Sequence, residues 1–432
     1  MNQPRIRNRP FQISRVSRNT FCSSLLLTRH SCSFLAITAV FLACVVLLLA
    51  PISSAFSGTT KCLQWIRNTD SLVLAEPSGR IIISRHASAL RIPASTLKVL
   101  TSLAAIHELG PAYRFKTEFY VQGDGILVIK GYGDPLLISE VLSDIAGQLS
   151  KRIAHVKAII TDTSYFSRSI RIPGRGHSTN PYDAPPSALS VNFNTIVVAR
   201  DEKGNIISGE PQTPLTPLAR KIAKKIGATN GRYSIGEDSD LAAQYAGQLF
   251  KRFLLKAGVQ VSGTIGPGLV GSDAELIYTH YSPFTLKQVI RKMLKYSSNF
   301  IANQLLITMG AMSFGPPGTL AKGLKVFRQY VKKNLELKSP VIVEGSGISR
   351  SNQISAIEMM KVLIRFMPYH RLMRKQGRVF YKTGTLKGVK TCVGYIRDGN
   401  HNVYPFVVFI NRPFCHLDRI TRCLQGLVPS TS

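Results

Sequence analysis

Three short runs in this chain combine residue types that can move a proton and attack a carbonyl. Ser95-Thr96-Leu97-Lys98 is Ser-x-x-Lys, Ser297-Ser298-Asn299 is Ser-x-Asn, and Lys382-Thr383-Gly384 is Lys-Thr-Gly. In the first, a Ser opening a helix and a Lys three residues on share one face. A hydroxyl is a weak nucleophile until a base takes its proton. The Lys is such a base only when neutral, and burial with a second cation nearby pushes its pKa down. The helix N-terminus adds backbone N–H groups and a positive partial charge. Taken alone, Ser-x-x-Lys is weak, because roughly two such spacings occur by chance in a chain of this size. An ordinary helix cap with a solvated Lys is the bland alternative. The second run offers a hydroxyl to relay a proton and a carboxamide to clamp a carbonyl or the Lys. In the third, Lys382 and Thr383 offer a cation and a hydroxyl to a carboxylate. Gly384 lets a substrate lie close to the strand, and Thr385 follows it.

These residues need a scaffold. Strand-like runs at Leu72–Ala75 and Arg80–Ser84 flank the turn Glu76-Pro77-Ser78-Gly79. Pro93-Ala94-Ser95 then opens a helix that stops at Gly110-Pro111. A middle block follows: strands at Thr117–Val121, Ile126–Ile129 and Val156–Thr161, helices at Ile138–Leu149 and Leu241–Leu255, and a hairpin across Val191–Ile207. It reads as a separate α+β unit. The last third predicts helices at Leu286–Leu294, Asn299–Met309, Leu320–Lys333 and Ala356–Arg365, and strands at Val379–Lys382, Lys390–Ile396 and Val403–Ile410. A closing helix fits Leu417–Leu427. One antiparallel sheet with helices against it is expected. No internal repeat is evident.

The chain has 432 residues and 44% hydrophobic content, enough for two or three domains. It carries 55 Lys+Arg against 23 Asp+Glu, a net +32, which draws it to polyanions. Residues 1–32 hold Arg5, Arg7, Arg9, Arg15, Arg18 and Arg29 and no acid; an apolar run from Phe34 to Ile52 and Ser53-Ser54-Ala55 follow. Basic, apolar, small is the order of an export signal, and the run is also long enough for an anchor in the inner membrane. Either way the main chain is expected outside the cytoplasm, in a periplasmic or other extracytoplasmic space, with no nucleic acid as partner. Of seven cysteines, Cys62, Cys392, Cys415 and Cys423 would then be where disulfides persist, and their three pairings stay open. No metal-ligand spacing appears among the cysteines or the nine histidines, and the chemistry calls for no cofactor.

Together and in this order, the three motifs resemble the active-site serine penicillin-binding proteins and related β-lactamases. Further stretches are similar to the low-molecular-weight carboxypeptidase/endopeptidase family often called penicillin-binding protein 4. They are Gly131-Tyr132-Gly133-Asp134-Pro135, Thr161-Asp162-Thr163-Ser164-Tyr165-Phe166, Tyr182-Asp183-Ala184-Pro185-Pro186-Ser187-Ala188-Leu189, Glu344-Gly345-Ser346-Gly347-Ile348-Ser349-Arg350, and Gly388-Val389 with Gly394-Tyr395. The resemblance implies an α/β (α+β) fold. Residues 56–110 and 281–432 would form a penicillin-binding/β-lactamase-like transpeptidase domain with an antiparallel sheet, residues 111–280 an inserted α+β domain, and residues 1–55 the basic region and signal or anchor. It implies Ser95 as nucleophile, Lys98 as base, Ser297 and Asn299 as relay and clamp, and Lys382, Thr383, Gly384 and Thr385 as substrate binders. The N–H groups of Ser95 and Thr385 would form the oxyanion hole, and Asp162, Phe166 and Arg350 would line a side-chain pocket. Peptidoglycan peptides would be the substrates and β-lactams the inhibitors. Departures are Ser298 and Glu344 where the family has Asp, Lys387 where Gln is common, a short stretch from Arg350 to Lys382, and a short insert. The rivals are a β-lactamase or esterase of the same superfamily and a non-catalytic envelope protein that binds peptidoglycan.

Overall fold

The helix that carries Lys98 is buried over most of its length, and the fold surrounds it. All ten residues from Leu97 to Ile106 are buried in the helix Leu97–Leu109, which stops at Gly110 with φ +84. Apolar residues lie on most of its faces, so it belongs inside a protein, with Lys98, Thr101 and Ser102 along one stripe. In the computed structural model, which describes residues 62–430 apart from Glu237, Phe414 and Cys415, this helix packs on the helices Leu286–Tyr296, Asn299–Phe314 and Ala356–Phe366. The basic N-terminal segment, the apolar run 34–52 and Cys22, Cys32, Cys44 and Cys415 lie outside the described residues. Among the described residues no helix is long and apolar enough to cross a membrane.

Beside this helical layer lies a six-stranded antiparallel sheet. Its order is Arg374–Gln376, Val379–Leu386, Val389–Arg397, Val403–Ile410, Asp70–Ala75, Ile81–Arg85. Alternation sends Phe380, Val393, Tyr395, Val407 and Phe409 into the helical core. The opposite face sends Val379, Cys392, Ile396, Val408 and Ile410 against Ile66, Ile420 and Leu424. There Cys62 is bonded to Cys423 of the closing helix Leu417–Gly426, while Cys392 is free and buried. The bond ties residues 361 apart in sequence. Replacing both cysteines by Ser is expected to cost about 2–5 kcal/mol, chiefly through the freer unfolded chain. Urea midpoints of the two proteins under oxidising conditions read this difference, and equal midpoints would contradict it.

The middle of the chain builds a mixed five-stranded sheet, ordered Ile265–Pro267, Ala158–Asp162, Ile126–Gly131, Lys116–Gln122, Glu275–Tyr281. Its first three strands run parallel. Parallel neighbours need crossover connections, and the helices Ser139–Leu149 and Ser239–Lys256 supply them and pack into its core. A three-stranded sheet, Gly231–Ser234, Thr195–Arg200, Ile206–Ser208, adds the helix Pro217–Lys225. Two expectations change here. The hairpin expected across Val191–Ile207 starts only at Thr195, because Asn192, Phe193 and Asn194 take left-handed φ of +48, +63 and +53. The strand expected to end at Lys382 runs on to Leu386.

Candidate active site

Ser95 sits in a 3₁₀ turn, Ala94–Thr96, at the mouth of the Lys98 helix. Ala94 holds φ +48, a strained value for a residue with a Cβ. Lys98 is fully buried, and its Nζ lies 2.9 Å from Ser95 Oγ, 2.8 Å from Asn299 Oδ1 and 2.7 Å from the Ser346 carbonyl oxygen. Burial, and then the charge of Lys382, push its pKa well below the usual lysine value; Glu344 opposes them. The motif's two side chains are therefore brought together, and the amine is biased toward the neutral form that a base requires.

The second motif is a break between two helices. Ser297 ends the helix Leu286–Tyr296 with φ +55, and Ser298 caps the next helix, its hydroxyl accepting from Ile301 N at 3.2 Å. Ser is as good a cap as Asp, so the departure at Ser298 keeps the local structure. Lys382 Nζ donates to Ser297 Oγ at 2.9 Å. Lys382 is 3% exposed, and burial brings its pKa down to about 8, with Arg374 adding and Cys392 opposing.

The third motif lies across Ser95. A Cβ at Gly384 would stand 2.8 Å from Ser95 N and 2.9 Å from Ala94 Cβ, so only glycine lets the strand pass this close. The edge strand Arg374–Gln376 covers only Val379–Tyr381. From Lys382 to Leu386 the outer edge pairs with no strand, and Thr383 and Thr385 are exposed on it. An extended peptide can add there as a further strand.

A fourth element completes the site, and sequence reasoning quoted it while assigning a role only to its last residue, Arg350. Glu344 is fully buried and accepts hydrogen bonds from Ser346 N, Ser346 Oγ, Gly347 N, Ser349 N, Asn352 Nδ2 and Asn303 Nδ2, at 2.6–3.4 Å. The loop it organises presents the Ser346 carbonyl to Lys98. Gly347, with φ +80, lies so close to Ala94 that a Cβ would meet the Ala94 carbonyl oxygen at 1.9 Å.

The pocket residues fare differently. Asp162 is 1% exposed; its oxygens accept from Ser164 N at 2.8 Å and Val270 N at 3.2 Å, with Lys130 Nζ at 3.6 Å. Its carboxylate is used in closing the turns around its strand. Phe166 is 2% exposed and packs with Ile307 and Ala311. Both side chains are buried, Phe166 in a cluster that also takes in Ile348 beside the Glu344 loop. Arg350 is exposed, and its guanidinium donates to the Lys387 carbonyl at 2.8 Å, bridging the Glu344 loop to the turn after the third motif. The stretch 182–189 joins the middle block to the catalytic core: Gln304 Nε2 donates to the Ser187 carbonyl at 2.6 Å, and Asn299 Nδ2 lies 3.5 Å from the Tyr182 carbonyl.

A model described as the D-Ala-D-Ala carboxypeptidase 3 (S13) family matches residues 68–234 and 229–371, well over half of the chain. The chain belongs to that family. The match stops short of Lys382-Thr383-Gly384, so the geometry above is what ties the third motif to the other two. Among curated relatives, the D-alanyl-D-alanine carboxypeptidase DacB of Haemophilus influenzae is 24% identical, over 77% of this chain and 83% of that protein. A D-alanyl-D-alanine carboxypeptidase of Actinomadura sp. is 24% identical over 68% of this chain, which spans 63% of that relative, just under two thirds. Among solved structures, penicillin binding protein 4 of Haemophilus influenzae superposes with a TM-score of 0.69 at 21% identity, covering 85% of this chain and 98% of that one. The fold is that of a penicillin-binding protein, with mixed helices and sheets as expected.

Proposed function

We propose that the chain is a serine D-alanyl-D-alanine carboxypeptidase that cleaves peptidoglycan stem peptides through a Ser95 acyl-enzyme. The observation that carries this is Lys98 Nζ, fully buried and 2.9 Å from Ser95 Oγ. Ser95 Oγ attacks the carbonyl between two D-alanines while Lys98 takes its proton. The N–H groups of Ser95 and Thr385 receive the developing oxyanion. Ser297 relays the proton taken up by Lys98 to the leaving nitrogen as the C–N bond breaks, so that Lys98 and the Ser297 hydroxyl are restored, and Lys382, Thr383 and Thr385 hold the terminal carboxylate. Water then splits the ester, giving the shortened peptide and D-alanine. Penicillins acylate the same Ser95 and inhibit. Cross-linked peptides, cut by the same steps, make the enzyme an endopeptidase as well.

Family membership and the Cys62–Cys423 bond support action outside the cytoplasm, where such a bond persists. The +32 charge suits retention at an anionic envelope, and residues 1–55 would export or anchor the chain. The unit 56–110 with 281–432 and the insert 111–280 serve as catalytic and covering domains in this reading.

The test is release of D-alanine from an acyl-D-Ala-D-Ala peptide across pH. Lys98 must be neutral, so kcat/KM falls as pH drops through its lowered pKa. Lys382 must be charged to hold a carboxylate, so kcat/KM falls again above about 8. A bell is expected, and an ester substrate lacking the carboxylate loses only its alkaline limb. A profile flat from pH 6 to 10 would contradict this assignment.

A further inference from the structure

A cavity of about 570 Å³ adjoins the second motif. Its floor includes Ser297, Ser298 and Asn299, and its far wall is the middle block. We infer that this cavity is the subsite for the second peptide of a cross-linked substrate, the strand whose amine departs. The inference rests on the serine peptidase reading above and deepens it.

Position comes first. The cavity reaches the catalytic centre through Ser297, the hydroxyl assigned to the leaving nitrogen, and Asn299, whose Oδ1 holds Lys98. The residue on the leaving nitrogen gives its carboxylate to Lys382, Thr383 and Thr385, and its side chain, the link to the second peptide, extends into the cavity. Size comes second. A volume of this order suits a drug-sized ligand, roughly 300–1,000 Å³, and a departing alanine would leave most of it empty. Charge comes third. Arg232, ion-paired with Glu210 and donating to Thr195 Oγ1 at 2.8 Å, lines the cavity together with Lys292 and Glu140. Fixed charges of both signs suit a peptide bearing carboxylates and amines, and a neutral sugar offers them nothing.

The wall itself is built under strain. Asn192, Phe193 and Asn194 are consecutive non-glycine residues with left-handed φ, an arrangement that persists only when the surroundings enforce it. Here they do. Asn192 Oδ1 accepts from Ser139 N at 3.0 Å, its Nδ2 donates to Ser139 Oγ at 2.9 Å, and Asn194 Nδ2 donates to the Pro185 carbonyl at 2.9 Å. The result fixes the Phe193 ring edge-on to Phe300, centroids 6.1 Å apart, with the Arg232 guanidinium 6.0 Å from the Phe193 ring centroid. The ring thus forms a rigid apolar shelf beside the ion pair, suited to the aliphatic part of the second peptide.

The test compares two rates in the same preparations: cleavage of a cross-linked tetrapeptide dimer, and acylation by benzylpenicillin, which has no second peptide. Tyr296, 68% exposed at the rim, and Lys292 are the sites to change, because neither is needed for the core. For both Tyr296→Ala and Lys292→Glu, the ratio of dimer kcat/KM to penicillin acylation rate is expected to fall about tenfold, mainly through KM. An unchanged ratio in both variants would overturn the subsite. Absence of acylation in the unmodified enzyme would instead overturn the serine reading on which the subsite rests.

Discussion

Replacing Lys98 by Met will slow acylation of Ser95 by about 10³–10⁴-fold while leaving the fold intact. The size follows from what a positioned general base contributes, about 10²–10⁴, taken at the upper end because no second base touches Ser95 among the described residues. The geometry supports the role of base proposed for Lys98. Two of its three partners, Asn299 Oδ1 and the Ser346 carbonyl, are oxygens that only accept. The amide of Asn299 is oriented by its Nδ2, which faces the Tyr182 carbonyl. A neutral amine has two N–H groups and one lone pair. With both N–H groups given to the two carbonyl oxygens, the lone pair is left for the Ser95 hydroxyl at 2.9 Å. Burial and Lys382 bias the amine to that neutral state. Met matches the length and apolar body of the lysine stem. Stopped-flow acylation with a fluorescent penicillin reads the rate, and a loss under tenfold would contradict the role.

The second large effect lies one step back from the chemistry. Glu344→Ala is expected to destabilise the protein by about 3–5 kcal/mol, since unmade hydrogen bonds of buried donors cost about 1–3 kcal/mol each and only partial relaxation is available. Six donors converge on this carboxylate, five of them within 3.1 Å. A denaturant midpoint shift measures the cost; a change under 1 kcal/mol would contradict it. Glu344→Gln separates positioning from electrostatics. Its volume is kept but its charge is lost, and that charge supports the Lys98 ammonium. Removing it lowers the Lys98 pKa further, so the acid limb of kcat/KM must move to lower pH. A purely structural role would lower the rate without moving that limb.

Much of the site was legible because its parts are local. Ser95 and Lys98 are one helical turn apart, so their meeting needs no tertiary knowledge. The helix Leu320–Lys333 and the strand Val403–Ile410 match the sequence boundaries, since apolar periodicity and flanking turn residues marked both. What escaped depends on long-range packing or on backbone atoms. The Ser346 carbonyl that holds Lys98 carries no side-chain signature. The strand Glu275–Tyr281 was missed because only His280 is fully buried, with Ile277, Tyr278 and Thr279 half-buried in a row, and so it lacks a clear alternation. The turn at 192–194 read as strand because Val191 and Phe193 alternate with polar residues; the asparagine side chains instead anchor left-handed backbone. Asp162 and Phe166 were assigned by resemblance alone, and both are buried. The Cys62–Cys423 pairing required the sheet that brings segments 361 residues apart together.

The central claim is that Ser95 is the acylated residue. The direct measurement is the intact mass of the protein after incubation with benzylpenicillin, unmodified and as Ser95→Ala. The account predicts a stable one-to-one adduct in the first and none in the second, with both equally folded. An adduct that persists in Ser95→Ala, or penicillin left untouched by the unmodified protein, would contradict it.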